Sequence, residues 1–598
     1  MKDTMNCQHT LSNEVVYKEV VVIGNGPSGM VTSYMLAGNV PYLKEVPQDL
    51  PIDDMLKARL SNLPKEQSLY ETDLLELAEG LEGRSHNPIP LLMDNLLRPC
   101  ADMGIQADSL IEWKYDIEKQ IDHVVLGRGP AGGAWHTLPG SVRTLSPAAW
   151  LSLPPHGAAA GAAGGARLCA AAVAAYCRRY VRVCNINRYF RTGVVVSSVR
   201  RAPRHPAACS SRCPLAAHYW VSGYDMCEGR GFRYACKRVI LACGASDRPN
   251  TLHPHLAARC VHTLANYERA LAHGGDNGAV MVVGSGLSAA DAVLCGVRTN
   301  RQIMHLHRTP PDALARLSPR EYPDYTQVYK MMCDGTSKEY PNYKSYPEHI
   351  IVDIKPETDP PVMPEDPEVD YETIRPKRVK LLNLVTNETA DVTVSIIAVL
   401  IGSKPDLFFL QTNFNLNCID VEQSCIKCTE KKNAKKNIED ERRQCFLRNH
   451  WLYIKSVLGQ SIQSCKSRYL NYSEINGNSD TKCVIPDCNK RPEKTKCTCD
   501  EIKTEECNYE IIPSDKDKCQ CHLSNPYSNG IGFGIDTKKP VDGRSNPIAI
   551  DKSTHELLNA PKGIYALGPL TGDNFVRFIP GGALAIVTHI HRERKSTE

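Results

Sequence analysis

The chain lacks a surplus of either charge: 71 Lys and Arg stand against 67 Asp and Glu in 598 residues, a formal net charge of +4. No basic block stands clear of compensating acids, which excludes nucleic acid and an anionic membrane surface as main partners. Long hydrophobic runs are also missing. The opening residues MKDTMNCQHTLS are polar, and the first apolar run, Val20 to Ile23, is too short for a signal-peptide core or a membrane span. The expectation is a soluble, intracellular, cytoplasmic protein with no transmembrane segment and mostly reduced thiols. Cysteine is not scarce, at 25 residues, but that is about 4% of the chain, below the 8 to 10% of a disulfide scaffold. Twelve of the 25 fall within 418–521. There Cys425 and Cys428 form one CxxC, while the others do not repeat in paired zinc spacing. Lysine-rich surroundings such as EKKNAKK (430–436) predict a largely disordered loop, with metal binding and redox sensing as alternatives.

What is present begins with EVVVIGNGPSGMVTSYMLAG, a buried strand over 19–23, a glycine turn and a helix to about Gly38. Gly24, Gly26 and Gly29 have the GxGxxG spacing of a dinucleotide fold. Gly24 permits the tight turn, Gly26 admits a pyrophosphate to the backbone and Gly29 lets helix and strand pack closely, with amides of the helix start as phosphate donors. A second strand ending in an acid should follow within about 20 residues, but none appears before His123 to Leu126. Residues 39–120 therefore read as an insertion, mostly helical, with patches DDMLKARLSNL and ETDLLELAEGLEG.

The pattern recurs at Ala279 to Val283 followed by Gly284, Gly286, Ser288 and Ala289, a second strand-glycine-helix unit. Two such units predict two dinucleotide sites. The next strand, 302–307, ends at Arg308. An acid there would hold the ribose of NAD, whereas arginine suits the 2′-phosphate of NADP. Between the units, Ala158 to Ala175 predicts one or two helices, and 180–250 alternates as hairpins ending in Val239 to Ala242. The Tyr- and Pro-rich stretch 310–380 reads as ordered but irregular, and Val394 to Ile401 as a buried strand. Near the end come Ile564 to Leu567 with Gly568, then Asp573, and a helix start at Gly581 and Gly582 whose backbone is expected to lie against a flat ligand.

Together these units resemble flavoproteins with two dinucleotide domains that bind FAD and NADPH, including the flavin-containing monooxygenases. GNGPSG (24–29), LGRGPAGGAWH (126–136), YPDYTQVYKMM (322–332), YPNYKSYPEHI (340–350) and ALGPLTGDNFVRF (566–578) are similar to the oxidative stress-induced growth inhibitor family, over roughly 14–415 and 530–590. The resemblance implies an α/β fold of two Rossmann-like domains with two insertions. The FAD-binding domain is expected over 14–38, 121–250, 385–415 and 541–598, and the NADPH-binding domain over 251–384. The insertions are 39–120 and a Cys- and Lys-rich stretch over 416–540.

The same resemblance implies FAD on Gly24, Gly26 and Gly29, with Gly132, Gly133 and Trp135 as the GGxW that lines the flavin and Asp573, Gly581 and Gly582 near its ring and ribityl chain. NADPH is implied on Gly284, Gly286, Ser288 and Arg308. The implied reaction is transfer of one oxygen atom to a small-molecule substrate, and the implied biology is control of growth, death or cytokinesis, with midbody, mitochondrial or nuclear association. The chain departs from the monooxygenase pattern at four places. Leu126 and Gly127 stand where the ribose-binding acid belongs, Pro569 replaces an aspartate, Leu145 and Ser146 follow Arg143-Thr144 without an asparagine, and His262 has only part of its motif. A catalytically weak regulator acting through protein partners is the alternative. A disulfide reductase of similar fold needs a CxxC beside the flavin, and neither early glycine turn has one.

Overall fold

The computed structural model describes residues 15–411 and 530–597, apart from 65, 106, 156–164, 203–216, 274–277, 309–311 and 358–369. The insertion expected over 416–540 lies outside the described residues up to 529.

Strand β1, Val15–Ile23, turns through glycine into helix α1, Pro27–Leu36. Pro27 suits the first helical position, since its ring presets φ and its absent N–H would have had no helical partner. Strand β2, Asn39–Leu43, pairs antiparallel with β3, Ile111–Tyr115, so the insertion expected to be mostly helical is closed at its base by a two-stranded ribbon. Inside it lie α2, Asp54–Ser61, α3, Leu74–Ala78, and α4, Pro88–Leu97. Asp53 and Asp73 cap α2 and α3 by accepting first-turn amides, Leu56 at 2.8 Å and Leu75 at 3.0 Å.

Strand β4, His123–Gly127, returns parallel beside β1, with Ile23 opposite Leu126. Strands β5, Arg143–Pro147, and β6, Arg167–Cys169, form a small antiparallel pair. Helix α5, Ala170–Val183, begins late in the alanine-rich stretch. Then β7, Phe190–Thr192, joins the free side of β4, and the expected hairpins appear as β8, Val194–Arg201, β9, Tyr219–Asp225, and β10, Arg230–Leu241. The end of β10 runs parallel to β1, Val22 facing Ile240, which completes the order β7-β4-β1-β10-β9-β8.

The chain crosses to a second sheet through β11, Arg248–Pro249, and two helices, α6, Pro254–Ala257, and α7, Leu264–His273. Strand β12, Val280–Val283, leads through the second glycine turn into α8, Leu287–Arg298, and then β13, Ile303–His307. The tyrosine-rich stretch is more regular than expected. It holds a helix, Pro323–Asp334, then β14, Tyr343–Pro347, and an antiparallel sheet of β15, His349–Pro356, β16, Lys377–Asn383, and β17, Thr389–Val394. Strand β18, Ile396–Val399, then enters the second sheet and gives the parallel order β14-β13-β12-β18. Of the stretch 385–415 expected in the first domain, β17 and β18 therefore lie with the second, where Val280 faces Ile396 and Val283 faces Val399, whereas Phe408–Gln411 packs on β8 of the first sheet. Strand β19, Ser403–Lys404, pairs back onto β11, and β20, Ile564–Ala566, lies parallel to β10.

In both sheets the parallel strands beside the glycine turns are buried on both faces, which is why they are continuous apolar runs. Val20, Val21, Val22, Val280, Met281 and Val282 are fully buried. The last helix, Ile579–Thr597, joins α1 and α4 in one core. Among the described residues no helix is long and apolar enough to cross a membrane, and no group of three or more His, Cys, Asp or Glu could hold a metal ion.

Candidate nucleotide-binding sites

At the first turn the backbone leaves β1 at Gly24 with φ of +112°, and a Cβ there would lie 2.3 Å from the Ala242 carbonyl oxygen. Only glycine fits that turn. A Cβ on Gly29 would meet the Gly24 carbonyl oxygen at 2.0 Å, so close packing of α1 on β1 depends on it. Gly26 is different, because the nearest atom to its absent side chain is Gly133 Cα, at 4.0 Å. It caps α1 without any side-chain hydrogen bond. The first-turn amides of a helix have no intrahelical partner, so this open start can receive a phosphate.

Gly133, with φ of +57°, and Gly132, with φ of +123°, bend the 127–136 loop back over this turn. The Gly132 amide donates to the Asn25 carbonyl at 2.9 Å. Trp135 follows in a one-turn helix, Gly133–His136, half-buried against the core. The structure therefore brings Gly24, Gly26, Gly29, Gly132, Gly133 and Trp135 to one end of the first sheet.

The second turn repeats this geometry. Gly284 has φ of +136°, and a Cβ there would lie 2.4 Å from the Leu400 carbonyl oxygen, whereas a Cβ on Gly286 would meet nothing within 4 Å. Gly286 caps α8 with no side-chain bond, Ser288 is exposed in the first turn, and Arg308 is exposed just past β13, the strand beside β12. His305, 1% exposed, sets its Nε2 2.7 Å from the Gly284 carbonyl oxygen and its Nδ1 2.9 Å from the Tyr343 hydroxyl.

The three residues expected near a flavin ring from the end of the chain are engaged otherwise. A Cβ on Gly581 would lie 2.3 Å from Pro90 Cα, because the last helix starts hard against the start of α4. A Cβ on Gly582 would lie 3.1 Å from His555 Cε1 and from Leu567 Cβ. Asp573, 2% exposed, accepts from the Asn87 amide at 2.9 Å and from the Ser85 hydroxyl. Burial pushes its carboxyl up to about 6 against these bonds, which pull it down. The insertion thus covers the Gly581 side of this helix start, where Pro90 lies, while Gly582 faces His555 and Leu567.

Sequence reasoning missed an ionic cluster that fixes the same junction. Arg577, 3% exposed, donates through Nε to Asp94 at 2.7 Å and through Nη1 and Nη2 to Asp102 at 2.9 and 2.8 Å, and its guanidinium lies 4.3 Å from the Trp150 ring centre. One further contact runs between the two domains: Tyr322 donates to the Leu145 carbonyl at 2.7 Å, while within the second domain Tyr325 donates to Asp291 on α8 at 3.0 Å. Burial lifts the Asp291 carboxyl to about 6, opposed by the Tyr325 hydrogen bond.

No family model matches the chain. Among curated proteins it is 30% identical over 594 residues to oxidative stress-induced growth inhibitor 1 of Mus musculus, covering 96% of this chain and 94% of that protein. It is 27% identical over 624 residues to oxidative stress-induced growth inhibitor 2 of Homo sapiens, covering 98% and 95%. Among solved structures it is similar to a flavin-containing monooxygenase from Stenotrophomonas maltophilia, at 16% identity and a TM-score of 0.35, over 67% of this chain and 83% of that one. A match at this identity over 96% of the chain and 94% of the relative means that the chain belongs to the oxidative stress-induced growth inhibitor family.

Proposed function

We propose that the protein is an FAD- and NADPH-dependent monooxygenase that acts on a small nucleophilic molecule and whose turnover restrains growth under oxidative stress. One observation carries this reading: each parallel sheet ends in a strained glycine followed by an open, uncapped helix start, at Gly26 and at Gly286. That pairing suits two dinucleotides and has no packing purpose of its own.

FAD, when bound, would supply hydride acceptance and oxygen activation. The chain's own residues would bind and orient. Gly26 and the start of α1 would take the pyrophosphate of FAD, and Gly132, Gly133 and Trp135 would close over its flavin side. Gly286, Ser288 and the start of α8 would take the pyrophosphate of NADPH, with Arg308 pairing its 2′-phosphate. Fold and donors fit these groups at both turns, while Asp573, Gly581 and Gly582 act as structural supports beneath the first.

The test is to purify the protein, record its visible spectrum with and without added FAD, and follow NADPH consumption under oxygen. A yellow protein that oxidises NADPH supports the reading. A protein that stays colourless with added FAD and leaves NADPH untouched contradicts it. The second reading, a regulator acting through partners, is favoured by the insertion's hold on Asp573 and Gly581, and it predicts that second result.

A further inference from the structure

Asn25 and position 127 compete for one volume. In folds of this kind the second parallel strand ends in an acid that holds the adenosine ribose. Here that strand is β4 and it ends at Gly127, which is buried. A Cβ on Gly127 would lie 2.1 Å from both Cγ and Nδ2 of Asn25 and 2.6 Å from its Oδ1. No side chain can stand at 127 while the Asn25 amide is there.

The amide is also held in place. Asn25 is 4% exposed, and its Nδ2 donates to the Gly129 carbonyl at 2.6 Å. With the Gly132 amide on its own main-chain carbonyl, Asn25 grips the 127–133 loop twice. An amide whose nitrogen is held in this way still has its oxygen as an acceptor. The next residue, Arg128, does not leave a bare cation beside it, because its guanidinium lies 3.8 Å from Asp247 and 3.6 Å from Asp406.

We propose that Asn25 takes over the ribose end of the first nucleotide site, so that this site meets an adenosine ribose with a neutral amide in place of a carboxylate. The inference rests on the FAD reading above and adds the group that replaces the missing acid. The paired change is what makes it specific: a glycine at 127 and a side chain at the middle of the GxG turn are one substitution in space.

The test is titration of the full chain with FAD, followed by flavin fluorescence, with the thermal midpoint measured without FAD to separate folding from binding. Asn25→Ala should weaken FAD binding by about tenfold, the scale of one lost hydrogen bond. Gly127→Glu alone should also weaken it, since the new side chain must expel the Asn25 amide. The double variant Asn25→Ala with Gly127→Glu should return FAD affinity to the wild-type level or beyond, because the carboxylate then has its usual room. Rescue of this kind is non-additive, as expected of residues in contact. If Asn25→Ala does not fold, Asn25→Ser takes its place in both variants. Unchanged affinity in the single Asn25 variant, or a double variant no tighter than Gly127→Glu, overturns the proposal while leaving the FAD reading intact. A wild-type chain that does not bind FAD at all overturns both.

Discussion

The Gly284 carbonyl oxygen lies 2.7 Å from Nε2 of His305, which holds the second glycine turn from the neighbouring strand. The other nitrogen of the ring meets the Tyr343 hydroxyl on the strand beyond. A strained turn thus hangs on a buried imidazole that is itself oriented by a tyrosine. Burial pushes that imidazole down to about 3, so it stays neutral and keeps one donor for the carbonyl. His305→Leu takes the imidazole from the buried Gly284 carbonyl, at about 1–3 kcal/mol, and from the Tyr343 hydroxyl, which keeps Ser345. It should lower the urea midpoint and weaken NADPH binding while leaving FAD binding intact; isothermal titration with each nucleotide reads both.

The two open glycines and the two strained ones should separate binding from folding. Gly286→Ala meets no atom within 4 Å and sits at negative φ, so its effect on stability should stay within about 0.5 kcal/mol. Its methyl group stands where a phosphate would approach, so NADPH affinity should drop steeply. Gly284→Ala should instead cost stability, because its Cβ has to clear the Leu400 carbonyl. Chemical denaturation beside NADPH titration of both variants checks the contrast.

Arg577 should behave as a structural pin. Its removal leaves Asp94, 3% exposed, with the longer Arg98 contact at 3.3 Å, and burial already raises its carboxyl despite both guanidinium groups. Arg577→Met should destabilise the protein by up to about 3–5 kcal/mol, the range for breaking a buried ion pair, with Arg98 offsetting part of the loss. Adding Asp94→Asn should recover part of the loss, and a urea midpoint unchanged in the single variant would contradict the assignment.

Stability should fall on mild acidification through His123. It is 1% exposed, set between Ser33 and the Ile121 carbonyl, and burial lowers it from 6.5 to about 4. Between those values the unfolded chain binds the proton and the folded chain does not, so stability is lost as pH drops from about 6.5 toward 4. The half-buried carboxyl of Asp291 and the buried one of Asp573, each lifted to about 6, act in the opposite sense over the same window. Comparison with His123→Gln isolates the imidazole: the stability advantage of wild type over the variant should shrink by up to about 1.4 kcal/mol per pH unit.

The glycine turns were legible because their spacing follows from backbone geometry alone. Gly24 and Gly29 have one use each in a strand-turn-helix unit, and both are found in it. Strand β18 shows where such reading stops. Its apolar run announces a buried strand, but nothing in Ile396 to Val399 states which sheet it joins. Gly581 shows another limit, since a glycine signals close approach without naming what approaches, and here it is Pro90. The Arg577 cluster was invisible because its acids lie 483 and 475 residues away in the chain. The same distance hid Asp573 from Ser85 and Asn87.

The central claim, that two dinucleotides meet on this chain with Arg308 reading the second, is tested most directly by reducing the FAD-loaded protein without oxygen. NADPH should bleach the flavin absorbance much faster than NADH in the wild type, and Arg308→Ala should narrow that preference roughly ten- to hundredfold, the range for one charge-assisted contact. A flavin left unbleached by NADPH, or a preference unmoved by Arg308→Ala, would contradict it.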